Sequence, residues 1–140
     1  MRAFFDTSAL AKRYTGEAGA ARVFELCRDA DALGVSVICL PEMISTLCRL
    51  VREERLPEPQ YHALKDRILA DLADADICDV TPTALSHAIR LLETNTLRAM
   101  DALHLGCALA YQADVFVSAD FRQIEAARKA GLKVEEVHGS

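Results

Sequence analysis

Short apolar runs alternate with longer amphipathic stretches along the chain. Five of the runs are too short for a helix and are rich in β-branched or aromatic residues, which is typical of buried strands. The predicted strands are Ala3–Phe5, Val35–Leu40, Ile77–Val80, Val115–Val117 and Lys133–Val137. Strands that alternate with helices favour a parallel arrangement. The pattern therefore predicts an α/β fold, a mostly parallel five-stranded sheet flanked by helices on both faces.

The intervening stretches carry apolar residues three or four positions apart, the spacing of one buried helix face. Six such groups occur: Val23, Phe24 and Cys27; Ile44, Leu47 and Val51; Tyr61, Leu64, Ile68 and Leu72; Leu85, Ala88, Ile89 and Leu92; Met100, Leu103, Cys107 and Tyr111; Phe121, Ile124 and Ala127. Gly131 is a suitable C-terminal stop for the last helix. Because there is no internal repeat and no Gly/Ser/Pro-rich linker, residues 1–140 are expected to form a single domain.

Composition narrows the class of protein. Of the 140 residues, 51% are hydrophobic and 26% are charged, which provides for one buried core and excludes an intrinsically disordered chain. The run Val35–Leu40 is far shorter than a membrane span, and Asp6 interrupts the N-terminus before a secretory signal could form. We therefore expect a cytoplasmic protein with no membrane partner.

The cysteines are odd in number and show neither a CxxC pair nor zinc-type spacing. They are Cys27, Cys39, Cys48, Cys78 and Cys107. Most lie in apolar stretches, so we expect them to be small hydrophobic residues in a reducing compartment.

Acidic residues exceed basic ones, 21 to 16, for a net charge of −5. This balance argues against a protein that coats nucleic acid by bulk electrostatics. It does not argue against a nuclease, because acids gathered around a metal ion can account for such an excess.

Three acids follow predicted strands. Asp6 comes directly after the first strand, Glu42 follows the second across Pro41, and Asp120 lies just past the fourth. Because the carboxyl ends of parallel strands share one edge of the sheet, we expect these side chains to lie close together. Helix capping is an alternative role for Glu42 and Asp120, since acids are common at helix N-termini.

A fourth acid, Asp101, lies in the apolar helical stretch 99–110 with no cation on its own helix face. A carboxylate in such a setting needs a partner. Two carboxylates about 5 Å apart repel by roughly 3 kcal/mol at an effective dielectric constant of ~20, so four together must take up protons or share a cation. An all-oxygen cluster suits Mg²⁺ or Mn²⁺ better than zinc.

The motifs that carry these acids resemble those of PIN-domain nucleases, and the length is similar to that of the VapC-type toxins of type II toxin–antitoxin systems. The matching segments are Phe4–Leu10, Glu42, Asp101–Leu105, Val117–Asp120 and Gly131–Val134. The resemblance implies that Asp6, Glu42, Asp101 and Asp120 hold one or two Mg²⁺ or Mn²⁺ ions. It further implies an endoribonuclease in which a metal-activated water cleaves RNA and leaves a 5′-phosphate, and a cognate antitoxin as partner.

Other residues receive roles from the same resemblance. Ser8 and Ser118 would support the acids, His104 would support them or pack in the core, and Arg122 stands where some relatives carry a further acid. Candidate RNA contacts are Lys12, Arg13, Arg49 and Arg98, although Arg49, Arg52 and Arg55 equally fit a solvated helix face. Apolar helix residues between positions 20 and 72 are candidates for a homodimer face, an antitoxin groove or simply the core.

Two other functions deserve comparison. A PIN-like module that binds RNA or protein without cutting would not need all four acids, because losing them would relieve their repulsion. A phosphatase with Asp6 as covalent nucleophile would need a second acid two residues later, and Ser8 stands there.

Overall fold

The computed structural model describes residues 1–138 and confirms the α/β fold. The elements in chain order are β1 (Arg2–Phe5), α1 (Thr7–Leu10), α2 (Lys12–Thr15), α3 (Ala20–Asp29), β2 (Ala32–Ser36), α4 (Cys39–Arg52), α5 (Glu58–Leu72), β3 (Asp76–Cys78), α6 (Pro82–Thr94), α7 (Ala99–Tyr111), β4 (Val115–Ser118), α8 (Phe121–Lys129) and β5 (Val134–Glu136). Within these described residues, no helix combines the length and the apolar character that crossing a bilayer requires.

The five strands form one sheet in the order β3-β2-β1-β4-β5, and every neighbouring pair is parallel. β1 is central, with Phe5 aligned to Val35 of β2 and to Val117 of β4. All five strands therefore end at the same edge of the sheet, called here the carboxyl edge. Asp6 directly follows β1 and therefore lies at the middle of this edge.

Side chains alternate across the sheet and fill two cores, one on each face. Ala3 and Phe5 of β1 lie in the first core, which α1 to α5 cover. Phe4 lies in the second core with Phe116 of β4, under α6, α7 and α8. The prediction of helices on both faces is confirmed.

The predicted bounds of β1 and β4 each differ from the observed bounds by one residue, and those of the other three strands differ by more. β2 spans Ala32–Ser36 instead of Val35–Leu40, because the apolar run contains both a strand end and the start of α4 at Cys39. Within α4, Cys39, Met43 and Leu47 are buried at four-residue spacing, which is the helical period. β3 is Asp76–Cys78 rather than Ile77–Val80, and β5 is Val134–Glu136 rather than Lys133–Val137.

The buried face of α6 also differs from the prediction. Leu85, Ile89 and Leu92 are 43%, 57% and 40% exposed, while the buried positions are Ala84, Ala88 and Leu91. Small residues occupy the contact because α7 approaches closely: a Cβ on its Gly106 would lie 2.4 Å from the Ala84 carbonyl oxygen. The larger apolar residues of α6 are left facing outward.

The five cysteines are free, and Cys39 and Cys107 are buried. Burial raises the pKa of the Cys39 thiol to about 12. A neutral thiol is a weak nucleophile, which agrees with the prediction that the cysteines serve as small hydrophobic residues.

Candidate active site

Asp6 occupies the turn between β1 and α1. Its carboxylate caps α1 by accepting from the Ala9 amide at 3.0 Å, and Ser8 Oγ lies 2.8 and 2.9 Å from its two oxygens. Ser118, the last residue of β4, donates its hydroxyl to Asp6 Oδ2 at 2.6 Å. The two serines expected to support the acids therefore both contact Asp6.

The Asp6 side chain is completely buried, yet it has no cationic partner within residues 1–138. Burial raises its pKa above the ordinary aspartate value, because the hydrogen bonds from Ser118, Ala9 and Ser8 compensate only in part for lost hydration. A carboxylate in this position favours either a proton or a cation.

Glu42 lies in the first turn of α4 and is held by two side chains. Thr7 donates its hydroxyl to Glu42 Oε1 at 2.6 Å, and His104 Nε2 lies 2.5 Å from the same oxygen. Burial acts to raise the pKa of Glu42, but the hydrogen bonds from His104 and Thr7 outweigh it and leave the pKa lowered. Sequence reasoning missed Thr7, although its position beside Asp6 was a usable signal.

Asp101 lies in the first turn of α7, and its cationic partner comes from the residue that precedes the helix. Its Oδ2 accepts from the Arg98 amide at 3.3 Å and lies 3.5 Å from Arg98 Nε, in a capping box. Arg98 precedes the helix, so inspection of the helix face alone did not find it. The other oxygen, Oδ1, accepts from Gln123 Nε2 at 3.2 Å.

Asp120 is the N-cap of α8, as the capping alternative proposed. Its Oδ1 accepts from the amides of Arg122 at 2.9 Å and Gln123 at 3.0 Å. Its own amide donates to Ser118 Oγ at 3.0 Å. Capping uses one carboxylate oxygen and leaves Oδ2 for another role.

Hydrogen bonds connect three of the four acids, Asp6, Asp120 and Asp101, at the carboxyl edge. Glu42 belongs to a separate hydrogen-bonded group with Thr7 and His104, and the four acids are called here the acid cluster. Ser118 contacts both Asp6 and the Asp120 backbone, and Gln123 contacts both Asp120 and Asp101. One turn along α7 from Asp101, His104 reaches Glu42 and Thr7. The sequence pattern predicted these four acids as one site, and it missed Gln123.

The ligand chemistry of the cluster and the spacing of its ligands determine whether it fits a divalent cation. Its four carboxylates are hard oxygen ligands, and buried Asp6 lacks a counter-charge, so the donor chemistry fits Mg²⁺ or Mn²⁺. Across residues 1–138, however, no three His, Cys, Asp or Glu side chains stand close enough together to hold a metal ion.

The candidate RNA contacts fall into different settings. Lys12 is buried and donates to the Ala18 carbonyl, and Arg13 pairs with Asp71 of α5 at 3.4 Å. Arg49 lies 3.9 Å from Glu53 at the exposed end of α4. Only the fourth candidate, Arg98, which is 80% exposed, contacts a residue of the acid cluster.

A cleft of about 660 Å³ lies between the α6–α7 connection and α8. Its lining residues are Glu93, Thr94, Asn95, Thr96, Arg122, Glu125 and Lys129. Arg122 follows Asp120 by two residues, and the intervening Phe121 has a 75% exposed side chain. An exposed aromatic ring and an exposed cation thus follow Asp120 directly along the chain.

Comparison with known proteins decides the family. The family model of the PIN domain matches residues 3–129. This chain belongs to the PIN domain family. Ribonuclease VapC45 of Mycobacterium tuberculosis (strain CDC 1551 / Oshkosh) is 33% identical over 134 residues, which cover 94% of this chain and 92% of that protein. The PIN domain described here is therefore of the VapC type.

Solved structures share the fold of this PIN domain. The sarcin-ricin loop cleaving toxin VapC20 of Mycobacterium tuberculosis superposes with a TM-score of 0.67 at 18% identity, covering 93% of this chain and 95% of its own. A toxin-antitoxin complex from Klebsiella pneumoniae gives a TM-score of 0.69 at 16% identity and covers 99% of both chains. At these identities the likeness establishes the architecture alone.

Proposed function

We propose that this PIN domain is an endoribonuclease that hydrolyses RNA phosphodiester bonds with water as the nucleophile. The observation that carries the proposal is the hydrogen-bonded connection of Asp6, Asp120 and Asp101 at the carboxyl edge, with Glu42 held by His104 one turn along α7 from Asp101. The relative that is 33% identical over nearly the whole chain is named a ribonuclease.

The same proposal assigns the four acids as ligands of Mg²⁺ or Mn²⁺. When bound, such an ion lowers the pKa of a coordinated water and screens charge on the phosphate oxygens. Ser8 and Ser118 fix the orientation of Asp6, while Thr7 and His104 fix Glu42. These contacts hold each carboxylate in place before substrate arrives.

RNA would approach from the cleft between the α6–α7 connection and α8. Arg122 and Lys129 line this cleft, and Arg98 stands beside Asp101, so each can contact a phosphate. The exposed ring of Phe121 can stack on an unpaired base next to the scissile bond. A single-stranded segment or loop fits these contacts better than a regular duplex.

We also propose that the chain acts as the toxin of a toxin–antitoxin pair. The complex from Klebsiella pneumoniae supports this role, because it shows a protein of this fold with an antitoxin. For the expected homodimer, the outward-facing residues Leu85, Ile89 and Leu92 supply an apolar stripe along α6. Light scattering of the purified chain tests that dimer directly.

One observation favours a second function, a PIN domain that binds RNA without cutting it. The four carboxylates are hydrogen-bonded internally, and no three potential ligands within residues 1–138 hold a metal-binding spacing. A non-cutting module would bind RNA unchanged by divalent ions and would leave it intact.

The decisive experiment compares RNA ends after brief expression of wild type, Asp6→Asn and Asp114→Asn. The wild type and Asp114→Asn should generate the same new 5′-phosphate ends in total cellular RNA, and Asp6→Asn should generate none. Asp114 is a matched control because it is an exposed aspartate at the opposite edge of the sheet. Identical ends from Asp6→Asn would contradict the proposal.

A further inference from the structure

Gln123 joins two of the four acids. It is the third residue of α8, and only 4% of it is exposed. Its amide N–H donates to Asp120 Oδ1 at 3.0 Å, and its side-chain Nε2 donates to Asp101 Oδ1 at 3.2 Å. The side chain therefore lies within the cluster, whereas the neighbouring Arg122 is exposed and lines the cleft.

The carboxamide oxygen of Gln123 lacks a hydrogen-bond partner. Oε1 is buried, and no donor among residues 1–138 reaches it. A buried acceptor without a donor lowers stability, so native structures rarely leave one unmatched. Rotating the amide by 180° does not remove the problem, because Oε1 would then face Asp101 Oδ1, which is also an acceptor.

The surroundings of Oε1 determine what can satisfy it. Nε2 and Oε1 belong to one planar amide, so the contact with Asp101 keeps Oε1 beside that carboxylate. Two carboxylates nearby, Asp101 and Asp120, create a negative potential that attracts a cation. Amide carbonyl oxygens are hard ligands that bind divalent cations alongside carboxylates.

We propose that Gln123 Oε1 supplies a neutral oxygen ligand to the divalent cation that Asp101 and Asp120 hold. The inference rests on the metal dependence in the proposed function and adds a ligand that is not an acid. A neutral ligand adds no negative charge to the cluster. Without a cation, the carboxylates therefore repel one another less than they would if a fifth carboxylate stood in place of Gln123.

Manganese titration of the full chain by calorimetry, without RNA, tests this assignment. Gln123→Leu removes the oxygen, so we expect Mn²⁺ affinity to fall about tenfold or more, as with the loss of other groups that support metal ligands. Gln123→Glu replaces the neutral oxygen with a charged one and should bind Mn²⁺ more tightly than wild type. Asp114→Asn, an exposed position at the opposite edge of the sheet, controls for a general change of charge.

The melting temperature in EDTA is a second measurement, which reports on the cluster without a bound cation. Gln123→Glu places a carboxylate against Asp101, so it should melt below wild type in EDTA and gain more from Mn²⁺. Circular dichroism establishes that each variant is folded. If Gln123→Leu does not fold, the order of Mn²⁺ affinities for Gln123→Glu, wild type and Asp114→Asn still decides the question.

Several outcomes would overturn the assignment. Equal Mn²⁺ affinity in wild type, Gln123→Leu and Gln123→Glu would mean that a buried water satisfies Oε1 and that Gln123 has only a structural role. In that case Asp101→Asn would still lose Mn²⁺ binding, and the proposed function would stand. If wild type itself bound no Mn²⁺, both the ligand role of Gln123 and the metal dependence of the proposed function would be rejected.

Discussion

The two edges of the sheet place the same kind of residue in opposite environments. At the amino edge, where the strands begin, Asp31 pairs with the N-terminal ammonium and Asp114 accepts from the Arg2 amide, and both are exposed. At the carboxyl edge, Asp6 is completely buried, and its partners are hydroxyls and an amide. The pKa of Asp31 is lowered, mainly by its hydrogen bond to the N-terminus, whereas burial raises the pKa of Asp6.

This difference indicates that the position of an acid in the fold, rather than the number of acids in the chain, points to the candidate active site. An exposed acid with a cationic or amide partner stabilises a fold locally and needs nothing else. A buried carboxylate without a cation is costly, and groups perturbed in this way cluster at functional sites. Changes at the carboxyl edge should therefore affect function, and matched changes at the amino edge should not.

The largest expected contrast is between Asp101→Asn and Asp114→Asn. Asp101→Asn keeps the shape of the side chain but removes a proposed cation ligand, so RNA cleavage should fall by about a hundredfold or more. Asp114→Asn should cleave at the wild-type rate. Initial rates on one fluorescent RNA measure both, and a fully active Asp101→Asn would exclude that residue from the site.

A smaller loss is expected when His104 is replaced. His104→Ala removes a hydrogen bond to Glu42 while leaving all four acids present, so cleavage should fall by about ten- to a hundredfold. The pKa of Glu42 should then rise toward its ordinary value. Rates measured from pH 4 to pH 8 test this point, and an unchanged acid limb of the profile would mean that His104 does not act through Glu42.

Asp6 and Glu42 should make opposite contributions to the pH dependence of the free energy of unfolding. Because the folded-state pKa of Asp6 is raised, its protonation favours the folded state below pH 3.8, and this advantage is lost as pH rises through the folded pKa. Glu42 has a lowered pKa, so its stabilisation is present above pH 4.5 and is lost as pH falls through the folded pKa.

Asp6→Asn should consequently melt at a higher temperature than wild type at pH 7 in EDTA, because the variant buries no charge. The difference should shrink as pH approaches 3.8. Differential scanning calorimetry over this range provides the measurement. A variant that melts lower at every pH would show that the hydrogen bonds of Asp6 matter more for stability than its buried charge.

The smallest effect concerns Asp120, which combines a structural and a proposed chemical role. Asp120→Ala removes the cap of α8 and should lower the free energy of unfolding by about 1 kcal/mol. Asp120→Asn retains a capping oxygen, so its stability should match wild type even though cleavage falls. Urea unfolding of the two variants measures the difference, and equal destabilisation would mean that charge rather than capping stabilises this turn.

The spacing of apolar residues over short stretches of sequence predicted much of this fold. The apolar runs identified five strands, and the helical spacing located α3 to α8, because each signal depends only on neighbouring residues. The predicted second strand failed at Val37–Leu40, where an apolar run continues from a strand into a helix without a polar break. The short helices α1 and α2 were missed because four residues cannot show a repeat.

The sequence pattern predicted the four acids as site residues, but it did not predict the side chains that hydrogen-bond to them. Asp6, Glu42 and Asp120 follow strands, so the topology of a parallel sheet brings them together. Thr7 and Gln123 contact these acids through side-chain geometry, which depends on how α1, α4 and α8 pack. The sequence pattern does not contain that information, and a glutamine in an amphipathic helix resembles any other solvated polar residue.

The most direct test of the account is cleavage of RNA by the purified full chain with and without a divalent ion. Cleavage should proceed in Mg²⁺ or Mn²⁺, stop when EDTA is in excess, resume when Mn²⁺ is restored, and leave 5′-phosphate ends. Cleavage that continues at the same rate in EDTA would contradict the central claim that the acids of the carboxyl edge act by holding a cation.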